Sequence, residues 1–210
     1  IPVYHPDEKL VRLIEKLNIQ TVQPGQVLFM QTMTGDAGED ARVREILRTA
    51  QKGRVEEVPK AEFDHGGTRN RAASLSDAEF MLFLTQDVVP VDEYLIENLL
   101  KMIDKEGVAT VYGRQLAGDD VGPAEHFTRT FNYPDKSFYK SSKDLERLGI
   151  KTYFCSNACA MYRRSVYEEM GGFVLHTIFN EDMIMAAAVI GAGYEIGYAA
   201  DAAVIHAHRY

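Results

Sequence analysis

The apolar positions of this chain fall into runs whose spacing alternates between strand and helix. A short apolar opening reads as a strand that ends near Tyr4. Behind it Leu10, Leu13, Ile14 and Leu17 recur at the spacing of one helical face, and Asp7, after Pro6, offers a carboxylate suited to the helix start. Val27 to Met30, introduced by Pro24-Gly25, reads as a second strand, and Val43, Ile46, Leu47 and Ala50 place a helix over 40–51. Phe80 to Leu84 is continuously apolar, as a strand buried on both faces must be, and Leu95, Leu99 and Ile103 mark the next helix before a strand at Val108 to Tyr112. From Ala117 to Lys143 no period is visible, which predicts a long functional loop or lid. Order returns over Tyr153 to Tyr162, followed by helices around Ser165 to Met170 and from Asn180 to Ile190, and by strands near Tyr194 to Tyr198 and Ala203 to His206. Such alternation predicts an α/β layer fold: a mostly parallel central sheet flanked by helices, with ligands beyond the carboxyl ends of the strands.

Composition narrows the function classes. A chain of 210 residues, 46% hydrophobic, is the size of one domain with one sizeable core. A formal net charge of -8 argues against a sequence-blind grip on nucleic acid or on an anionic membrane. Cys155 and Cys159 have no second pair, so they predict neither a zinc knuckle nor a disulfide framework, and read as half-buried thiols in a reducing compartment. No apolar run approaches a membrane span and no leader pattern precedes a cleavage site, so the expectation is a soluble domain. The start at Ile1-Pro2 without methionine and the stop at Arg209-Tyr210 read as a piece of a longer protein.

Chemistry is sought in the loops after the strands. Asp87, in Thr85-Gln86-Asp87 behind the buried strand, is placed to hold a divalent cation, which would neutralise the phosphates of a leaving nucleotide; the plain alternative is a turn cap. Asp64-His65-Gly66-Gly67-Thr68-Arg69-Asn70 precedes a small-residue helical stretch, where glycines allow close backbone approach and Arg69 can pair a phosphate, or where the chain merely loops. Asn180-Glu181-Asp182 opens a helix, so its acidic residues suit the helix dipole; the functional reading makes one carboxylate the general base for an acceptor hydroxyl. The other would hold the acceptor. His206 and His208 fall on one face of a strand and are candidate metal ligands. Gly171-Gly172-Phe173 reads as a helix stop and chain reversal as readily as a substrate contact.

In order along the chain, Ile1-Pro2-Val3-Tyr4-His5, the Gly-Gly-Thr-Arg-Asn segment, Thr85-Gln86-Asp87-Val88-Val89-Pro90, Tyr162-Arg163-Arg164, Gly171-Gly172-Phe173, Asn180-Glu181-Asp182 and the closing His-Ala-His resemble the family 2 glycosyltransferases of the GT-A fold. The Gln-Asp form of the metal motif, Arg114-Gln115 and Asn132-Tyr133-Pro134 are most similar to bacterial rhamnosyltransferase-like members. The resemblance implies a metal-dependent inverting transfer of a sugar from a UDP-, dTDP- or GDP-linked donor to a saccharide or lipid-linked saccharide acceptor. Mg²⁺ or Mn²⁺ would bridge the diphosphate. It further implies Asp182 as base with Glu181 as its acidic neighbour, Asp87 and one of His206 and His208 as metal ligands, and Pro2, Tyr4, Gln31, Asp64, Gly66, Gly67, Arg69, Asn70 and Gln86 as donor-binding residues. The single domain 1–210 would divide into a nucleotide-binding half, 1–115, and an acceptor-binding and catalytic half, 116–210, working in polysaccharide or glycolipid synthesis in the bacterial cytoplasm at the inner face of the membrane.

The sequence departs from that pattern at several positions. Thr85 stands where the metal motif begins with Asp, and Gln31 where relatives carry an Asp that accepts the base's ring N–H; its amide oxygen can accept the same bond without the charge. Asp36 fits the later Asp of that segment, and Val3 and His5 stand where Thr and Asn are common. These changes keep a second possibility open, a nucleotide-binding or scaffolding module that lost catalysis. A sugar nucleotidyltransferase is a third, although Tyr4-His5-Pro6 lacks the Gly-rich loop with a following basic residue on which that class relies.

Overall fold

The computed structural model of the chain describes residues 1–118 and 121–206. Its elements follow as β1 (Pro2–Val3), α1 (Lys9–Asn18), β2 (Val27–Thr32), α2 (Ala37–Leu47), β3 (Gly53–Val58), α3 (His65–Ser74), β4 (Phe80–Leu84), β5 (Val88–Pro90), α4 (Leu95–Ile103), β6 (Val108–Leu116), α5 (Pro123–Asn132), β7 (Phe138–Lys140), α6 (Leu145–Leu148), β8 (Cys159–Arg163), α7 (Arg164–Glu169), α8 (Glu181–Gly191) and β9 (Glu195–His206). The α1 face predicted from periodicity is the one that is buried, and Asp7 Oδ1 accepts the Lys9 N–H at its start. α2 begins before the predicted position because the Asp36 carboxylate caps it, accepting the N–H groups of Gly38 and Glu39. β3 has no counterpart in the sequence reading; its half-exposed Gly-Arg-Val-Glu-Glu-Val has no apolar run.

β1, β2 and β3 form an all-parallel sheet in which Val3 pairs with Gln31 and Gln31 with Glu57. In the second sheet, ordered β4-β8-β6-β9-β5 with β7 also on β9, the β6–β9 pair is parallel and the other described pairs are antiparallel. Parallel pairing therefore belongs to the first sheet and to β6–β9. β8 runs against β6 because the excursion from 117 to 158 brings the chain back at the end of the sheet where β6 finished.

That excursion is more ordered than the expected lid: it contains α5, β7 and α6. Gly122 and Pro123 start α5, but the helix buries no residue, and Phe127 and Phe131, its exposed apolar markers, are too few to announce a period. The two strands expected near the end are one, β9, with a bulge: Gly113 faces Ala199, whereas Arg114 faces Ala203. Gly113 is obligatory beside it, since a Cβ there would lie 2.6 Å from the Ala202 carbonyl oxygen and 2.9 Å from Cys159 Sγ. Beyond the bulge β9 also pairs with β5, which sets His206 opposite Val88.

Side chains alternate across the second sheet into two cores. Leu84, Cys159, Met161 and Val204 pack with α1 and α4, and Met81, Phe83, Ala160, Tyr162 and Tyr198 with α7, α8 and Phe173. Among the described residues no helix is long and apolar enough to cross a membrane.

Candidate active site

The first sheet ends in a group of donor-site candidates. Pro2 lies in β1, and the Gln86 amide holds the following turn: Tyr4 N–H donates to Gln86 Oε1 and Gln86 Nε2 donates to the Tyr4 carbonyl, each at 2.8 Å. The loop after β4 is thereby tied to the end of β1. Gln31 is buried in β2; its Nε2 donates to the Asp40 carbonyl at 2.9 Å, which leaves Oε1 as the free end of the amide, without a partner among the described residues. A buried acceptor so held suits the ring N–H of a base.

The Asp64 to Asn70 segment is the first turns of α3, not a loop before a helix. Asp64 is its N-cap, accepting the Gly67 N–H on Oδ1 and the His176 N–H on Oδ2. Gly66 lies against the 173–175 backbone so closely that a Cβ would sit 2.1 Å from the Val174 carbonyl oxygen. The Asn70 amide bonds the Phe173 backbone at both ends and accepts the Tyr167 hydroxyl. Asp64, Gly66 and Asn70 thus hold the chain that leads into α8. Gly171 and Gly172, both at positive φ, make the reversal after α7.

α8 opens at Asn180, in a left-handed conformation, and turns its two carboxylates apart. Glu181 points inward to a buried ion pair, 3.2 Å from Arg69 Nη1, and accepts Asn157 Nδ2. Arg69 also donates to the His65 carbonyl, so the arginine expected on a phosphate is engaged inside the protein. Asp182 is half-buried, its Oδ2 accepting the Asn157 N–H at 3.0 Å and its Oδ1 the Met183 N–H at 2.8 Å. Burial is the main influence on the Asp182 carboxyl and raises it; the Glu181 charge adds to this, and the two N–H groups and Arg69 offset only part.

The bulged end of β9 brings His206 to Asp87, with Nε2 3.3 Å from Oδ2. Burial would raise the Asp87 carboxyl, but hydrogen bonding and charge from His206, with the Thr85 hydroxyl and the Asp87 N–H, hold it well below the usual carboxylate range. His206 Nδ1 lies 2.8 Å from Gln115 Oε1, and Gln115 Nε2 donates to Ser156 Oγ at 2.9 Å. His208, the other candidate ligand, lies outside the described residues, and among those described no group of three or more acidic, His or Cys side chains is gathered for a metal. A carboxylate and an imidazole with facing donor atoms fit a divalent cation that takes its remaining oxygens from phosphates and water.

Gln115, Ser156, Asn157 and Tyr162, whose hydroxyl donates to Asn157 Oδ1 at 2.8 Å, are not among the site residues expected from sequence, although Gln115 and Tyr162 stand in motifs that carry the family resemblance. One available signal was Asn157 itself, an amide entering an otherwise apolar run. A cavity of about 610 Å³ between the edges of β2 and β4 and the end of α3 is lined by none of the candidate residues.

The model of glycosyl transferase family 2 matches residues 1–171. The chain belongs to this family. Two curated relatives of this family 2 chain are O-antigen chain rhamnosyltransferases: RfbN of Salmonella typhimurium, 40% identical over all of this chain and 66% of its own length, and WbaN of Salmonella anatum, 44% identical over 91% of this chain and 59% of its own. The chain thus spans somewhat less than two thirds of the relatives it matches, and they bear out the rhamnosyltransferase-like resemblance. Among solved structures, S. aureus TarS with UDP-GlcNAc is 16% identical with a TM-score of 0.75 over 100% of this chain and 57% of that one. The Pyrobaculum calidifontis mannosyltransferase PcManGT with GDP-Man and Mn2+ is 15% identical with a TM-score of 0.71 over 98% of this chain and 55% of that one. At those identities the likeness shows the fold alone, and it is the GT-A fold of the family.

Proposed function

We propose that this chain is the catalytic domain of a metal-dependent, inverting glycosyltransferase that moves a sugar from a nucleotide diphosphate to an acceptor hydroxyl. What carries the reading is one dipeptide. Ser156 anchors Gln115 beneath the Asp87–His206 pair, and Asn157 next to it holds Asp182, so the candidate cation site and the candidate base stand on adjacent residues. The rhamnosyltransferases among its relatives favour rhamnose as the sugar and O-antigen or a related polysaccharide as the product, with a saccharide or lipid-linked saccharide acceptor at the cytoplasmic face of the membrane.

In this reading the donor's base lies against Tyr4 and Gln31, whose free Oε1 takes the ring N–H. Asp87 and His206 would hold Mg²⁺ or Mn²⁺, which when bound supplies positive charge for the leaving diphosphate. Asp182 takes the acceptor hydroxyl's proton. The freed oxygen attacks the anomeric carbon from the face opposite the diphosphate, the bond to the diphosphate breaks with its electron pair, and the configuration inverts. The raised Asp182 carboxyl is the more basic for it. Glu181 acts from behind, as a positioning residue that keeps Arg69 and Asn157 in place.

The test is calorimetric titration of UDP, dTDP and GDP, each with and without Mn²⁺, into the wild-type protein and Asp87→Ala. Metal-dependent binding of one nucleotide that is lost in Asp87→Ala is expected. A well-folded protein that binds none of the three refutes the reading in favour of a module that has lost catalysis.

A further inference from the structure

We propose that Gln115 is a positioning residue that holds the ring proton of His206 on Nδ1 and so turns Nε2 toward the donor's cation, with its own amide oriented by Arg129 of α5. This rests on the reading of Asp87 and His206 as cation ligands, and adds to it how the imidazole is prepared. The argument is one of donors and acceptors. Arg129 Nη1 contacts Gln115 Oε1, and since a guanidinium only donates, the amide atom facing it must be the oxygen. The other amide atom, Nε2, donates to Ser156 Oγ. A turn of the amide by 180° would set an NH₂ group against the arginine and is disfavoured.

The oxygen so oriented lies 2.8 Å from His206 Nδ1, and a carbonyl oxygen at that distance requires the proton on Nδ1. With the Nδ1 proton so held, a ring that carries one proton has its lone pair on Nε2, the atom 3.3 Å from Asp87 Oδ2, and only a ring protonated on both nitrogens donates there. Gln115 thus presents to a metal the one tautomer that can bind it, as outer partners of metal-bound histidines do generally. Its burial, 2% exposed, shields these hydrogen bonds from exchange with water. The same amide ties the ligand to α5, the helix that the expected lid became.

The test follows the ring proton and metal uptake separately. In protein labelled with ¹⁵N-histidine and freed of metal, long-range ¹H–¹⁵N correlation, with the His206 signal assigned by its loss in His206→Gln, is expected to show Nδ1 protonated. In Gln115→Leu the Nδ1 preference is expected to be lost and Mn²⁺ affinity, measured by calorimetry with the bound nucleotide, to fall about 10–100-fold. Gln115→Glu, which keeps an acceptor facing His206, should restore the Nδ1 proton. If Gln115→Leu does not fold, Arg129→Met frees the amide to turn and should likewise unfix the tautomer. An Nδ1 proton that persists unchanged in Gln115→Leu, or in Arg129→Met where only that variant folds, overturns the proposal whatever the metal does. A wild-type protein with the Gln115-dependent Nδ1 proton that takes up no Mn²⁺ leaves the tautomer assignment standing and overturns instead the cation reading on which its purpose rests.

Discussion

The backbone N–H of Asn157 donates to Asp182 Oδ2 at 3.0 Å, while the Asn157 side chain donates to Glu181 of the same helix start. One residue thus holds two neighbouring carboxylates in different surroundings, Glu181 neutralised by Arg69 and Asp182 only partly compensated. Environment, not residue type, separates the two carboxylates.

The first consequence concerns transfer. Asp182→Asn keeps the shape of the side chain and removes its basicity, so turnover is expected to fall by about 10²–10⁴-fold with nucleotide affinity unchanged. Product formation and calorimetric binding on the same preparation check it, and wild-type turnover in the Asn variant refutes Asp182 as base.

The same carboxyl sets a pH dependence of stability. Burial foremost, with the Glu181 charge, raises its folded-state pKa above the unfolded value, so the folded protein holds that proton more tightly. Its contribution is then most favourable at low pH, declines as pH rises through the window between the unfolded and folded values, and is least favourable above the folded one. Asp182→Asn should therefore be more stable than wild type near pH 7, with the gap closing as pH falls below the ordinary carboxylate range. Urea midpoints across that range measure it, and an Asn variant less stable at neutral pH contradicts it.

Arg69 and Glu181 are both almost fully buried, with side chains 6% and 7% exposed. Arg69→Met strands a buried carboxylate and is expected to cost about 3–5 kcal/mol. Arg69→Met/Glu181→Gln should recover a large part of that loss, because the charge needing a partner is gone. Additive losses in the double variant, read from denaturant unfolding, would mean that the two side chains do not interact.

Gly66 is held to its small size by the Val174 carbonyl. Gly66→Ala is expected to destabilise by about 1–3 kcal/mol and to disturb the segment leading into Asp182, lowering turnover as well. Thermal unfolding without loss would show that the segment yields freely to the added methyl.

Burial pushes the Cys155 thiol up to about 11 and the Cys159 thiol up to about 12. A thiol held neutral and out of solvent is a poor nucleophile, so the native protein should resist a disulfide-exchange reagent at about pH 8, and unfolding should expose both thiols together. Rapid labelling of either in the folded protein would contradict their placement.

Much was legible from local pattern. The faces of α1 and α4 and the strand at Phe80 to Leu84 follow from the spacing of Leu, Ile and Phe, because burial on one or both faces leaves a period in the chain itself, and the start of α8 follows from the acidic pair that suits a helix dipole. The order of Pro2-Val3-Tyr4, Gly66-Gly67, Gln86-Asp87 and Asn180-Glu181-Asp182 identified the family. Tertiary structure decided what has no local period: β3 with its half-exposed polar face, α5 with two exposed phenylalanines, and the joining of two expected strands into β9 across a bulge. It also decided which way each side chain faces. Arg69 turns to Glu181, 112 residues later, and not outward, and His206 reaches Asp87, 119 residues earlier, because the bulge shifts the end of β9 against β5. Sequence carries residue type and spacing along one chain; a contact between distant residues depends on strand register and on the packing of whole elements, which no short window contains.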